Sequence, residues 1–233
     1  EFNNIEKLSE LVAKDKKIVA IIVEPIQGEA GVKFSSKKFL KKIEILCRKN
    51  NILFVLDEVQ VGIGRTGRIF CHEHYNLKPD IITLAKALGG GLPCGAIMVN
   101  PRFADFLTPG SHGTTMGGNP LSMASGLASF KQISKPSFLL NVRDRGAFFL
   151  SELKKIAKSP KIKEARGLGL ILAIEFNLQE DAKAFSSICL ERGLLVLLTE
   201  KCNVRILPPL NVKVGEVKNA LKIFKVALEE MND

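Results

Sequence analysis

Apolar positions along the chain arrive in two rhythms. "IVAIIVEP" (18–25) is a continuous apolar run closed by an acid and a proline, the pattern of a strand buried on both faces. Ser35 and Ser36 then offer a helix N-cap. Phe39, Leu40, Ile43, Leu46 and Cys47 follow at helical spacing, and Asn50 and Asn51 stop the helix. "ILFVL" (52–56), "DIITL" (80–84) and "GAIMV" (95–99) are three further apolar runs of strand length. Strand, helix, strand at this spacing predicts an α/β fold, a mostly parallel sheet with helices on its faces.

The texture changes after Pro120. "LSMASGLASFKQI" (121–133) predicts a helix of small residues, suited to close packing. A long amphipathic helix is expected over about 137–158, a Gly-rich strand at "RGLGLILAIEF" (166–176) and a helix near 181–192. Two short strands at 194–198 and 204–207 and a last helix over 215–230 complete the pattern. Lys135-Pro136 is the natural boundary. The expected division is a large α/β domain over 1–134 and a smaller C-terminal α/β domain over 135–233. No repeat and no low-complexity segment interrupts it.

Composition narrows the class. The 233 residues are 46% hydrophobic and 25% charged, as in ordinary globular proteins. No secretory signal and no apolar run approaching about 18 residues is present, so a membrane span is not expected. The five cysteines form no CxxC pair, which predicts reduced thiols in a cytoplasmic setting. The net charge of +10 raises nucleic acid as a partner. Its lysines, however, are spread along helical faces (Lys37, Lys38, Lys41, Lys42; Lys154, Lys155, Lys158) without a basic-aromatic motif, so nucleic acid is not expected. The chain starts at Glu1 rather than Met, and residues 1–17 are polar and amphipathic. We read it as lacking an N-terminal part.

In open α/β sheets ligands bind beyond the carboxyl ends of the strands. Here those ends carry unusual polar residues: Glu24, then Gln27 and Glu29; Asp57, then Gln60; and Lys86, just past the third run. A buried carboxylate needs a cation, so an Asp57–Lys86 ion pair is one explanation. Three strand ends converging on polar groups favours a ligand site. "GIGRTG" (62–67) spells a dinucleotide motif, but no apolar-periodic helix follows it and no acid lies about 20 residues on. Cys71, His72 and His74 lack a second ligand pair, so no metal is expected. Lys86 remains, as an amine able to attack a carbonyl and form a Schiff base. Pyridoxal phosphate (PLP) chemistry needs such a lysine and an acid on the pyridine nitrogen, which Asp57 could supply. "GSHGTTMGGNP" (110–120) adds glycines, Thr114, Thr115 and a helix start, as a phosphate would need.

"VEPIQGEAGV", "LDEVQVGIGRTG", "PDIITLAKALGGGLPCGA", "PGSHGTTMGGNPL" and "VRILPPL" resemble, in order and spacing, the motifs of class III (ornithine-type) aminotransferases, which are fold type I PLP enzymes. The resemblance runs from about residue 18 to residue 228. It implies that 1–134 is the C-terminal part of the large PLP-binding domain and 135–233 the small domain. It also implies that Lys86 bonds the cofactor and moves a proton between the substrate Cα and the cofactor's C4′. Asp57 would bind the pyridine nitrogen, Val59 would pack on the ring and Gln60 would hydrogen-bond its phenolic oxygen, with Glu58 pointing away. Thr115 would reach the phosphate in the neighbouring subunit of a homodimer, with Thr114 beside substrate there. Arg205 would clamp a substrate carboxylate. Glu29 would cover Arg205 and swing aside for a dicarboxylate.

"HGTTMGGNPL" and "RILPPL" are most similar to the acetylornithine group of the class, which shares its site with the succinyldiaminopimelate reaction. The implied activity is amino transfer from N-acetylornithine to 2-oxoglutarate, in arginine biosynthesis. Ornithine or 4-aminobutyrate as donor, or a non-catalytic basic binding module, are the alternatives. Two departures stand out. Met116 occupies a position where the family usually has Phe or Tyr. The family's Gly/Ser/Ala phosphate loop, its stacking aromatic and the arginine for the distal carboxylate are absent from these residues. Alone, the chain would bind PLP weakly.

Overall fold

A computed structural model describes residues 2–231. They fall into two compact units. The first holds residues up to Ile26, Phe34–Ile63 and Arg68–Lys135. The second holds Gln27–Lys33, Gly64–Gly67 and everything from Pro136 on.

The first unit opens with α1 (Ile5–Lys14), capped by the Asn4 side chain, which accepts from the Lys7 amide at 2.9 Å. Then come β1 (Ala20–Val23), the two-residue strands β2 (Ile26–Gln27) and β3 (Lys33–Phe34), which pair with each other at the ends of the segment Gln27–Lys33 that belongs to the second unit, and α2 (Lys37–Asn50). The serine cap predicted for α2 is present: Ser36 Oγ accepts from the Phe39 amide at 3.1 Å. Asn51 ends the helix in the left-handed region at φ 53°, which Asn tolerates better than most residues. Leu40, Ile43 and Cys47 are the buried stripe of α2, which packs on the sheet strand β4 (Leu53–Asp57). The strands β5 (Ile81–Leu84) and β6 (Ala96–Val99) and the helix α3 (Pro120–Ile133) complete the unit.

Its sheet runs β1-β4-β5-β6, with β1/β4 and β4/β5 parallel and β5/β6 antiparallel. One expectation is corrected here. β4 buries Phe54, Val55 and Leu56 in succession, but β1 alternates, with Ile22 64% exposed. Among the described residues β1 ends the sheet order, and Ala20 and Ile22 on one of its faces are uncovered.

The second unit contains α4 (Pro136–Ile156), β7 (Ile162–Leu168), β8 (Ile171–Phe176), α5 (Gln179–Glu191), β9 (Leu197–Leu198), β10 (Asn203–Ile206) and α6 (Val214–Glu230). The single Gly-rich strand expected over 166–176 is two strands. Gly169, at φ 58°, turns the chain between β7 and β8. A Cβ there would come within 2.6 Å of the Arg65 carbonyl oxygen, so only glycine fits. The sheet order is β7-β8-β10-β9, antiparallel throughout.

Strand alternation splits this sheet into two unlike faces. Leu172, Ile174, Phe176, Val204 and Ile206 join Phe149, Phe185 and Phe224 from the helices in one core. The phenylalanine rings meet at centroid distances of 5.1–6.3 Å. Each such ring contributes about 1.5–3 kcal/mol by burial. The other face carries Glu164, Arg166, Ala173, Glu175, Asn203 and Arg205. Among the described residues no helix is long and apolar enough to cross a membrane, and all five cysteines are free thiols.

Candidate active site

Asp57 and Thr83 are register partners on the parallel strands β4 and β5, so their side chains leave the same face of the sheet. Asp57 Oδ1 accepts from the Val59 amide at 2.9 Å, which fixes the carboxylate at the strand end. The Glu58 amide donates to the Thr83 carbonyl at 3.0 Å, extending the ladder one residue past β4. Glu58 itself is 1% exposed. Its carboxylate accepts from the amides of Cys71 (2.6 Å) and His72 (2.8 Å) and lies 2.8 Å from His72 Nδ1. Adjacent acids therefore have different surroundings. Asp57 is half-buried at the end of the sheet, and Glu58 is locked into the loop that carries Cys71 and His72. Val59 and Gln60 are half-buried in the turn that follows.

Lys86 lies two residues beyond β5 and is exposed. Its backbone is left-handed, with φ 48°, and it opens a short 3-10 turn, Lys86–Gly89. For a lysine this conformation costs about 1–3 kcal/mol, and it persists only where the surroundings impose it. The small residues of α3 hold the turn that follows Lys86. Ser125 Oγ donates to the Gly89 carbonyl at 2.9 Å and Ser129 Oγ to the Ala87 carbonyl at 3.4 Å. A Cβ on Gly126 would stand 3.0 Å from the Leu88 carbonyl oxygen. The predicted close packing of this helix is thus directed at the lysine's turn. Among the described residues no Asp57–Lys86 ion pair forms, and the contact made by the Asp57 carboxylate is the local one to the Val59 amide.

Thr114 and Thr115 lie on an exposed loop before α3. Thr114 Oγ1 accepts from the Gly117 amide at 3.2 Å, and Asn119 caps α3 by accepting from the Ser122 amide at 3.0 Å. No hydrogen bond joins either threonine to Asp57 or Lys86 among the described residues. Met116 in the same loop is 74% exposed.

The remaining candidates belong to the second unit. Arg205 is buried in β10, and its Nη1 donates to Glu29 Oε1 at 2.8 Å. The arginine side chain is 5% exposed and that of Glu29 69%, so one partner is held and the other stands in solvent. The "GIGRTG" segment forms turns, with Gly64 and Gly67 at φ 83°. Arg65 donates to the Leu170 (2.9 Å) and Pro208 (2.7 Å) carbonyls. Burial pushes Arg65 down to about 10, which leaves it charged at neutral pH. The motif's glycines serve turns rather than a dinucleotide. Among the described residues no group of three or more His, Cys, Asp and Glu could hold a metal.

The arrangement fits PLP in one further respect. Thr83 Oγ1, on the face shared with Asp57, is buried without a hydrogen-bond partner among the described residues, so this face has polar capacity that the chain itself does not use. Sequence reasoning missed three residues: Thr83, Glu58 as an anchor, and Arg166 on β7. A threonine inside an apolar strand and an arginine beside a glycine give no signal in sequence. Glu58 had one, being the second of two acids at a strand end.

A family model described as aminotransferase class-III matches residues 2–228. An acetylornithine aminotransferase of Caldanaerobacter subterraneus subsp. tengcongensis is 44% identical over 230 residues, which is 98% of this chain and 58% of that protein. Among solved structures, an acetylornithine aminotransferase of Elizabethkingia anophelis superposes with a TM-score of 0.90 at 38% identity, over 98% of this chain and 59% of that one. The ornithine aminotransferase of Toxoplasma gondii, described with partial occupancy of PLP at its active site, gives a TM-score of 0.91 at 34% identity, over 100% and 56%. The chain thus spans between half and three fifths of the length of these relatives.

Proposed function

The chain belongs to the class-III aminotransferases, and we propose that the protein transfers an amino group from N-acetylornithine to 2-oxoglutarate with pyridoxal 5′-phosphate as cofactor, a step of arginine synthesis. The observation that carries this is Lys86, exposed and held at positive φ beyond the strand beside Asp57. In this reading residues 1–134 are the C-terminal part of the cofactor-binding domain and 135–233 the small domain, with 27–33 and 64–67 grouped with the second unit. The working form is a cytoplasmic homodimer, in which Thr115 holds the cofactor phosphate and Thr114 the substrate of the neighbouring subunit.

PLP, when bound, supplies an electron sink for the substrate carbanion. Asp57 would hold the ring nitrogen charged through its carboxylate. Val59 would cover the ring and Gln60 would hydrogen-bond its phenolic oxygen. Lys86 Nζ would anchor the cofactor, then take the proton from the amine-bearing substrate carbon and deliver it to the cofactor's C4′. Arg205 would receive the carboxylate of the dicarboxylic partner. Glu29 would neutralise Arg205 while the amine donor is present, so that one pocket serves two unlike substrates.

Lys86→Ala should remove the cofactor's visible absorbance and its fixation by borohydride, and lower turnover by about 10²–10⁴-fold. Retention of both the band and turnover would refute the assignment. Ornithine as donor is the second reading, favoured by the likeness to the T. gondii enzyme. Side-by-side kcat/KM values for acetylornithine, ornithine and 4-aminobutyrate decide between them.

A further inference from the structure

Two arginines share one row of the second unit's sheet. Arg166 on β7 and Arg205 on β10 are both register partners of Ala173 on β8. They leave the same face, separated by a fully buried alanine. Their environments differ. Arg205 pairs with the exposed carboxylate of Glu29. Arg166 directs its five N–H donors into the fold. Nε donates to the carbonyls of Gly31 (2.9 Å) and Val32 (3.2 Å). Nη2 donates to the Gly31 carbonyl (2.6 Å) and to Asn203 Oδ1 (2.5 Å). Nη1 serves Glu175 Oε2 (2.6 Å) and Glu164.

The segment that Arg166 grips is strained. Val32 is buried and sits at φ 56°, a region that β-branched residues avoid, and Gly31 is at φ 92°. A Cβ on Gly31 would overlap the Asn203 side chain. Such backbone persists only when the surroundings over-determine it. The guanidinium fork on two successive carbonyls, with Asn203 against the glycine, does so. Glu29 lies just upstream in the same turn. A carboxylate so exposed gains little from an ion pair on a mobile segment, because ordering the chain offsets the attraction. On a segment already fixed, that ordering cost no longer falls on the pairing.

We propose that Arg166 is a positioning residue: by clamping the Gly31–Val32 backbone it presents Glu29 to Arg205 and thereby sets the balance between amine donor and dicarboxylate in the substrate site. This rests on the reading of Glu29 and Arg205 as a substrate switch. Protein acceptors take the donors of Arg166, so it would act through Glu29 rather than on the substrate itself. Its carboxylate partners Glu175 and Glu164 keep it from competing with Arg205 for an incoming dicarboxylate.

The test compares Arg166→Met and Glu29→Gln in the holoenzyme, with glutarate as an unreactive dicarboxylate probe followed by calorimetry. Glu29→Gln should tighten glutarate binding and lower kcat/KM for the amine donor while that for glutamate holds. Arg166→Met should shift both in the same sense, by about tenfold, below the ~10²-fold that a misplacement of about 1 Å can cost at reacting atoms. Added to Glu29→Gln, it should produce little further change, as expected for two residues acting through one contact. Arg166→Lys keeps the charge but not the fork. It should give an intermediate shift, and it serves as the working variant if Arg166→Met does not fold. If Glu29→Gln leaves glutarate affinity and the substrate ratio unchanged, the switch reading falls. If Glu29→Gln shifts them and the Arg166 variants do not, or slow both half-reactions equally, the positioning role falls and the switch stands.

Discussion

The two units carry their chemistry at opposite places on their sheets. In the first, Asp57 and Lys86 stand where parallel strands stop. In the second, Arg166, Glu175, Asn203 and Arg205 stand in the middle of antiparallel strands, on the face turned away from the phenylalanine core. A strand end frees the backbone, so a lysine can be held at positive φ and left exposed. A mid-strand position fixes the backbone, so a charged group must be satisfied sideways by its neighbours. Polar groups of the first kind should be dispensable for folding and decisive for chemistry. Those of the second kind should be coupled to stability.

The largest test of that contrast is Asp57→Asn. It keeps the shape and the Val59 hydrogen bond but removes the charge. Turnover should fall by about 10²–10³-fold, as when a preorganised electrostatic partner is lost. Thermal unfolding should stay within about 0.5 kcal/mol of the parent, as for substitutions away from a buried network. A stability loss comparable to the activity loss would mean that strand-end position does not separate the two roles.

Glu58→Ala probes the same strand end from the other side. Glu58 is one residue from Asp57, yet its carboxylate serves two backbone amides and the His72 ring. Leaving those buried donors unmet should cost about 3 kcal/mol, since each unsatisfied group costs about 1–3 kcal/mol. Denaturant unfolding would measure it. Once folded, the variant should keep the ratio of its two half-reactions. An activity loss without a stability loss would place Glu58 with Asp57 in the chemistry, whereas the expected stability loss shows that a strand-end acid locked by its neighbours behaves as the mid-strand groups do.

The same division explains what could be read from sequence. Lys86 and Asp57 stood out because each follows an apolar run, and a charge at the edge of such a run is conspicuous. The serine cap of α2 and the small residues of α3 were equally plain, because capping and close packing act locally. The hairpin between β7 and β8 was not, since its apolar run hides a turn made at a single glycine whose need is set by Arg65, a hundred residues away in the chain. Nor was the exposed face of β1, because cover is a property of the assembled sheet. Arg166 looked like any surface arginine. Its role depends on two carbonyls in a turn 134 and 135 residues distant. Pairings across such separations leave no periodicity.

The smallest effect is a pH dependence of the second unit. Burial acts to raise the Glu175 carboxyl, but hydrogen bonds and charge from Lys163 and Arg166 outweigh it and hold it below the ordinary carboxylate value. A carboxylate lowered in the folded state stabilises above its unfolded pKa, and that contribution disappears as pH falls through the lower, folded value. Stability of the second unit should therefore drop on acidification from neutral pH through the carboxylate range. The Glu175 share should stay below about 1 kcal/mol, because Lys163 is largely exposed and solvent screens the pair. Hydrogen exchange of β8 and β10 amides at pH 7 and pH 4, in the parent and in Glu175→Gln, isolates that share. The variant should lose part of the acid sensitivity in these strands while β4 and β5 exchange as before. If β8 and β10 show the same sensitivity in both proteins, the mid-strand carboxylate is a bystander, and the coupling of polar groups to stability in this unit rests on Arg166 and Asn203 alone.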